Sequence, residues 1–371
     1  MTAIVVGGGV IGTSVAYHLR AHDGSVTLLE KNALGSGTTA ASMGRFNWDA
    51  ADPLGIFLQR EAWRTYEPLV EDGTIGFERC GYLRVAGTPA ELDEIRTAAA
   101  VLEAYGLDFE VLDAEETAVH GLDPGAVAGG LYRAASGYLN QQDVVEHFAD
   151  GAERGGVAIE TGVEVTGIRT ERGSATGVET TDGTYDADVV VNAAGPWAPE
   201  LNGMVGVALP LRHTTGPILV LDANEPLSIP FLKNVGGPYY FRPEGESKAL
   251  AGRRWGRYDG ASRLDPDGAH AVGDEIRRDV AALARSHVPS LADAEVINEW
   301  VGLRTVTPDF GPVVGPTRVD GFVVACGMSG AGVALAPVVG RAVADHVGTG
   351  AATDALRLLS ADRFGRGTAS T

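Results

Sequence analysis

Residues 3–6 form an uninterrupted apolar run, glycines cluster at 7–9 and 12, Ile11, Val15 and Leu19 recur at helical spacing, and Val26, Leu28 and Leu29 make a second mostly apolar stretch. This pattern predicts strand, tight turn, helix and strand, which together make one βαβ unit. Helical periodicity returns over about 56–70 and 89–105. The second stretch is opened by Thr88, Pro89 and Glu91, which read as N-cap, N1 and N3 of a capping box. A further short helix is expected to start at Asp113, with Glu116 at N3.

Beyond about 157 the period shortens to two. Segments 157–159, 163–169, 175–180 and 185–192, with a turn at 181–184, predict a β-meander. Strand-like segments follow over 210–221 and 238–252, a helix over 273–286, strands near 295–304 and 321–326, and a last helix from near Gly332 to about Val347. No internal repeat or low-complexity tether breaks the pattern, so a second domain is expected as insertions into the first.

Charge narrows the set of partners. The 371 residues carry 29 Lys and Arg against 49 Asp and Glu, a net −20, and no basic run stands out. Such a field repels nucleic acid and anionic lipid, so neither is expected as a partner, and an anionic ligand must be held by local arginines, backbone N–H groups or helix N-termini. Cys80 and Cys326 are far apart, with no C-x-x-C or H-E-x-x-H pattern, which argues against a disulfide scaffold and a zinc site. The first strand begins without a basic leader, and no apolar run approaches the ~20 residues of a spanning helix, so a cytoplasmic, soluble protein is expected. Lys31, Lys233 and Lys248 are the only lysines among many arginines, a bias that suggests a GC-rich bacterial genome.

Gly7, Gly9 and Gly12 satisfy G-x-G-x-x-G between a strand and a helix. That context lets backbone, including the amides of Val10 and Ile11, approach a pyrophosphate at a helix N-terminus. Glu30 closes the second strand near the ~20-residue spacing of an acid that binds ribose hydroxyls, and Lys31 follows it. Ser36, Thr38 and Thr39 offer hydroxyls suited to phosphate, although an ordinary Ser/Thr loop reads the same way. Ala194 and Gly195 end a strand with small residues, as if something flat passes close by. Residues 327–332 form a flexible turn feeding a helix whose N-terminus favours negative charge; a Gly-rich packing turn is the alternative.

Four separated motifs then agree. Residues 35–44 (G-S-G-T-T-A-A-S-M-G), 191–197 (V-N-A-A-G-P-W), 302–309 (G-L-R-T-V-T-P-D) and 327–332 (G-M-S-G-A-G) resemble the D-amino-acid oxidase family of flavoenzymes, above all its glycine-oxidase and sarcosine-oxidase branches. The resemblance runs in order from residue 1 to about 350. It implies an α/β fold of two domains: a Rossmann-like FAD-binding domain of the glutathione-reductase type and an inserted antiparallel-sheet substrate domain. The expected division is 1–45, 138–208 and 300–362 for FAD, 46–137 and 209–299 for substrate, and a disordered tail over 363–371. The FAD contacts it implies add Gly44, Val165 and Trp197 to the residues already named, and at the C-terminal turn Gly327, Ser329, Gly330, Ala331, Gly332 and Val333.

The implied reaction is hydride transfer from the carbon beside nitrogen to flavin N5, giving an imine and then hydrogen peroxide, with molecular oxygen as the expected acceptor. Arg304 matches the arginine that pairs with the substrate carboxylate, and a planar fork suits that task, although a structural strand-edge ion pair is the alternative. Tyr240 matches the tyrosine of a Tyr-x-x-Pro segment near the same carboxylate; its neighbour Tyr239 should point to the opposite sheet face. A core tyrosine with another partner is the competing reading. Met43, Met328 and Gly330 are expected to line the pocket, with Gly330 opening it towards a large N-substituent. The family's covalent tethers are a cysteine that would fall at Gly302 and a histidine that would fall near Ala41, so FAD is expected to be non-covalent. Histidines such as His213 read as structural. An N-substituted glycine is the leading substrate class and a D-amino acid the runner-up. An NAD-dependent dehydrogenase and a flavin-binding subunit of a heteromeric oxidase are the alternatives of other classes.

Overall fold

The computed structural model describes residues 1–48, 52–254, 258, 262–350 and 353–364. A six-stranded sheet has the order Val313–Pro316, Phe322–Cys326, Val189–Asn192, Thr2–Val6, Ser25–Glu30, Ala158–Thr161, parallel throughout except for the pair made by the first two. Its central strands are apolar on both faces because both faces are covered. Helices Val10–Leu19, Gln141–Arg154 and Gly332–Thr349 pack on one face through Val15, Leu19, Phe148, Val339 and Val343. On the other lie Ala198–Met204 and a three-stranded antiparallel sheet, with Ile4, Val178, Leu201 and Phe322 at the contact.

The helix following the first strand and the last long helix touch backbone to backbone. Ser14 Oγ donates to the Ala336 carbonyl at 2.7 Å, and a Cβ on Gly340 would lie 2.3 Å from Ser14 Oγ and 2.7 Å from Ser14 carbonyl carbon. Two helices can approach this closely only where one offers no side chain.

A second, eight-stranded sheet has the order Glu295–Val306, Arg212–Asp222, Lys248–Arg253, Tyr239–Glu244, Phe231–Val235, Tyr82–Ala86, Gly129–Arg133, Glu110–Asp113. Only the contact between Phe231–Val235 and Tyr82–Ala86 is parallel. Alternation separates its faces. Leu219, Leu221, Phe241 and Ala251 pack with Ile276, Val280 and Ala284 of helix Asp274–His287. Ile218, Val220, Tyr240 and Leu250 gather with Met43 and Phe231 on the other face. Among the described residues no helix is long and apolar enough to cross a membrane.

The structure departs from the sequence reading at several places. The meander closes after Gly183–Asp186, and Val189–Asn192 leaves it to join the parallel sheet beside Thr2–Val6. Asp113 and Glu116 exchange side-chain-to-backbone hydrogen bonds as a cap should, yet only a five-residue 3₁₀ helix, Glu116–His120, follows. Helix Gln141–Arg154 was missed, although Asn140 caps it and Val144, Val145, Phe148 and Ala152 recur at helical spacing. The expected boundary at 300 falls inside strand Glu295–Val306, which runs unbroken in the second sheet. Arg363, assigned to a disordered tail, pairs with Asp309 at 2.7 Å and belongs to the 3₁₀ helix Ala361–Phe364; the rest of that expected tail, 365–371, lies outside the described residues.

The helix crossing yields a test. Gly340→Ala should destabilise the fold by about 1–3 kcal/mol, because backbone atoms of Ser14 must give way along with its Oγ; urea unfolding of the two proteins measures it, and an unchanged midpoint would contradict the close contact.

Candidate cofactor and substrate site

The first strand ends at Val6, and Gly7 turns the chain at φ +106° into the helix whose N-cap is Gly9. A Cβ on Gly12 would lie 1.8 Å from the Gly7 carbonyl oxygen, and one on Gly7 would lie 2.7 Å from the Ala193 oxygen. Gly12 therefore serves the helix-to-turn contact and does not line the cavity that opens in front of the helix N-terminus. That cavity holds about 430 Å³, and Gly7, Gly9, Val10, Ile11, Glu30 and Lys31 line one end. Ser36, Thr38, Thr39, Val165, Ala194, Gly195 and Trp197 line its length, and Gly327, Met328, Ser329, Gly330, Gly332 and Val333 the far end.

Each polar group here has a local partner and keeps capacity for a ligand. The Glu30 carboxylate accepts from the Gly8 amide at 2.6 Å and the Asn32 amide at 2.8 Å, which leaves lone pairs for ribose hydroxyls. Thr39 Oγ1 accepts from the Val10 amide at 3.1 Å, so its own proton points elsewhere. Thr38 donates to the Leu303 carbonyl at 3.0 Å and Ser36 to that of Ala33 at 2.7 Å. Gly327, Ser329 and Gly330 all take positive φ, winding the turn before the last long helix.

One latch joins the cavity wall to a neighbouring loop. Asp267, on the loop before helix Asp274–His287, accepts from Lys31 Nζ at 2.6 Å and from Trp197 Nε1 at 2.9 Å, while Lys31 Nζ sits 4.1 Å from the Trp197 ring centre. These two hydrogen bonds hold the Asp267 carboxyl below its usual pKa range. His213 secures the same loop: its Nε2 donates to the Pro196 carbonyl at 2.9 Å and its Nδ1 accepts from the Leu264 amide at 3.1 Å. Burial lowers its pKa, against the pull of the neighbouring carbonyls, so it is neutral and structural near pH 7.

A larger cavity, about 770 Å³, adjoins the first and shares Thr38, Ser42, Arg304, Ser329 and Gly330 with it. Arg304 comes from strand Glu295–Val306, whose alternation also directs Gly302 to this side. Its Nη1 is buried without a hydrogen-bond partner among the described residues, as are Thr214 Oγ1, on the strand position paired with Arg304, and Asn47 Nδ2. An uncompensated buried guanidinium N–H costs free energy unless a ligand answers it. Tyr240 lines the same cavity, and its hydroxyl packs where a Cβ on Gly252 would lie 2.5 Å away. Burial raises its pKa above the usual tyrosine value, while Arg304 and Arg45 oppose the shift, so the phenol stays protonated near pH 7. Tyr239 points to the opposite face, its hydroxyl on Asp279.

Besides Gly12, three expected roles change. Gly44 lines neither cavity: at φ +61° it pairs with Leu139, whose carbonyl oxygen would lie 1.9 Å from an added Cβ. Ala331 faces the larger cavity. Gly330 does not open empty space, since an added Cβ would lie 3.3 Å from Arg304 Cδ; its bare Cα makes room for the arginine stem. Met43 lines the larger cavity and Met328 the smaller. Gly302 and Ala41 are neighbours, a Cβ on Gly302 falling 2.9 Å from Ala41 Cβ, and neither carries a nucleophile. Sequence reasoning missed Thr214, Asn47, Arg84, Lys233 and Arg254, which reach the cavity only through strand pairing and loop closure.

A cavity lined at one end by a helix N-terminus and the Glu30 carboxylate and at the other by a bare turn fits a dinucleotide, and the adjoining chamber, with a buried guanidinium nitrogen unanswered among the described residues, fits an anionic small molecule. Comparison with known proteins agrees. Rat (Rattus norvegicus) mitochondrial dimethylglycine dehydrogenase is 30% identical over 402 aligned residues, covering 98% of this chain but 45% of that protein. The chain spans less than half the length of the first four curated relatives it matches. Glycine oxidase of Geobacillus kaustophilus is 29% identical over 92% of both chains, and its crystal structure superposes with a TM-score of 0.79. The L-proline dehydrogenase structure from P. horikoshii, 23% identical, shares the fold over 99% of this chain and 98% of its own, with a TM-score of 0.88. The family model "DAO: FAD dependent oxidoreductase" matches residues 2–346, and the chain belongs to that family.

Proposed function

We propose that the chain binds FAD non-covalently and oxidises the carbon–nitrogen bond of a glycine-like amino acid, most readily one with an N-substituent. The observation that carries this is Arg304: a guanidinium whose buried Nη1 has no partner among the described residues, set where the two cavities meet. When bound, FAD supplies the two-electron acceptor. The chain supplies placement. Arg304 pairs with the substrate carboxylate through its fork, and the protonated Tyr240 hydroxyl stands beside it as a donor. That anchor orients the α-carbon and nitrogen towards the shared wall of Thr38, Ser42, Ser329 and Gly330. The curated relatives named above act, by their names, on glycine and dimethylglycine, and a chamber of about 770 Å³ leaves space beyond glycine itself.

Anaerobic mixing with glycine, sarcosine, longer N-alkylglycines and D-amino acids tests the reading: the visible flavin band should bleach, fastest with the N-substituted glycines. Bleaching by D-amino acids alone, or by none of the panel, contradicts it. Removing a desolvated ion-pair partner costs about 2–5 kcal/mol. Arg304→Ala should therefore lower kcat/KM by roughly 30-fold to several thousand-fold with FAD retained, and Arg304→Lys should recover only part of the loss; wild-type efficiency in Arg304→Ala would remove the clamp. Because Gly302 and Ala41 offer no nucleophile, acid precipitation should leave all flavin colour in the supernatant. Fluorescence on the denatured polypeptide would disprove non-covalent binding.

A further inference from the structure

The larger cavity has a second cationic end. Arg84, Lys233 and Arg254 line it and also line an outer vestibule of about 470 Å³ together with Glu91, Asn234, Gly237 and Pro238, so the three cations stand at the neck between the two. The sheet fixes their placement. Lys233 is the register partner of Arg84 in the parallel neighbour strand and of Tyr240 in the antiparallel one. Tyr240, Lys233 and Arg84 thus form one row on one face, the Tyr240 and Arg84 positions two strand spacings, about 10 Å, apart. Arg254 follows the end of strand Lys248–Arg253, its amide bonded to the Pro238 carbonyl at 2.8 Å.

Like charges directly opposite in a sheet destabilise it, and this chain, at net −20, has acids in excess to relieve such a pair. Arg84 nevertheless forms no ion pair among the described residues. Of the carboxylates that line the two cavities, Glu91 accepts from the Gly87 and Thr88 amides as part of its helix cap, Asp52 accepts from the Gly55 amide, and Asp309 pairs with Arg363. We propose that the neck is a second anion site, and that the substrate is a secondary amine with two carboxylates, an N-(carboxyalkyl)glycine whose α-carboxylate meets Arg304 and whose distal carboxylate meets Arg84, Lys233 and Arg254. This rests on the amine-oxidase reading for the substrate's nitrogen, while the anion site itself is independent of it.

Two measurements on the FAD-loaded protein test the inference separately from that reading. In steady-state kinetics, N-(3-carboxypropyl)glycine should show a KM about tenfold or more below that of its uncharged 3-carbamoylpropyl counterpart. By calorimetry, pimelate, which has no oxidisable nitrogen, should bind about tenfold or more tighter than heptanoate. Arg84→Gln and Lys233→Gln should each reduce both preferences severalfold, whereas Arg304→Ala should weaken diacid and amide together. Equal affinity for the charged and uncharged ligands of each pair overturns the second anion site, as does a preference that survives both neck substitutions. A pimelate preference without amine turnover upholds the anion site and overturns the amine reading. Turnover of both amines without preference does the reverse.

Discussion

The arrangement depends on one steric constraint, the contact of the Gly12 α-carbon with the Gly7 carbonyl, where an added Cβ would fall at 1.8 Å. With side chains at either position the helix would be pushed off the strand, and its N-terminal amides would no longer face the space beside Ala193 and Ala194. Gly340 repeats the device on the helix's far side, against Ser14, so the same helix is fixed by two bare contacts. Positive dipole at the cavity therefore follows from packing, without charged side chains.

Positive charge is used locally. The protein's surplus of acids sets a repulsive outer field, yet Arg304, Arg84 and Lys233 on one sheet face, and Arg254 just beyond it, line one chamber. Sheet alternation does the sorting. It sends Tyr239 to Asp279 and Tyr240 to Arg304, and it separates the residues that hold helix Asp274–His287 from those that face the chamber.

Legibility in the sequence followed the range of the interaction. The βαβ unit, the capped helix from Pro89 and the phosphate-type glycines were readable because their signals are local. Arg304 and Tyr240 stand out in the sequence because each sits in a motif. Thr214 and Asn47 carry no motif, and the row of Arg84, Lys233 and Tyr240 exists only once three strands distant in sequence have paired. Gly330 shows the converse error: its missing side chain was visible, but the Arg304 stem that fills the gap comes from another strand. The split of the meander at Ala187 and Asp188 is of the same kind, since the partner of Val189–Asn192 is the first strand of the chain.

The latch formed by Lys31, Asp267 and Trp197 joins a loop of the sheet unit to the rim of the cofactor cavity. The Asp267 side chain is 62% exposed, and ion pairs so open to water contribute little to stability and weaken with salt. Its hold accordingly weakens as ionic strength rises, while the close glycine contacts of the neighbouring helix, which carry no charge, stay unchanged.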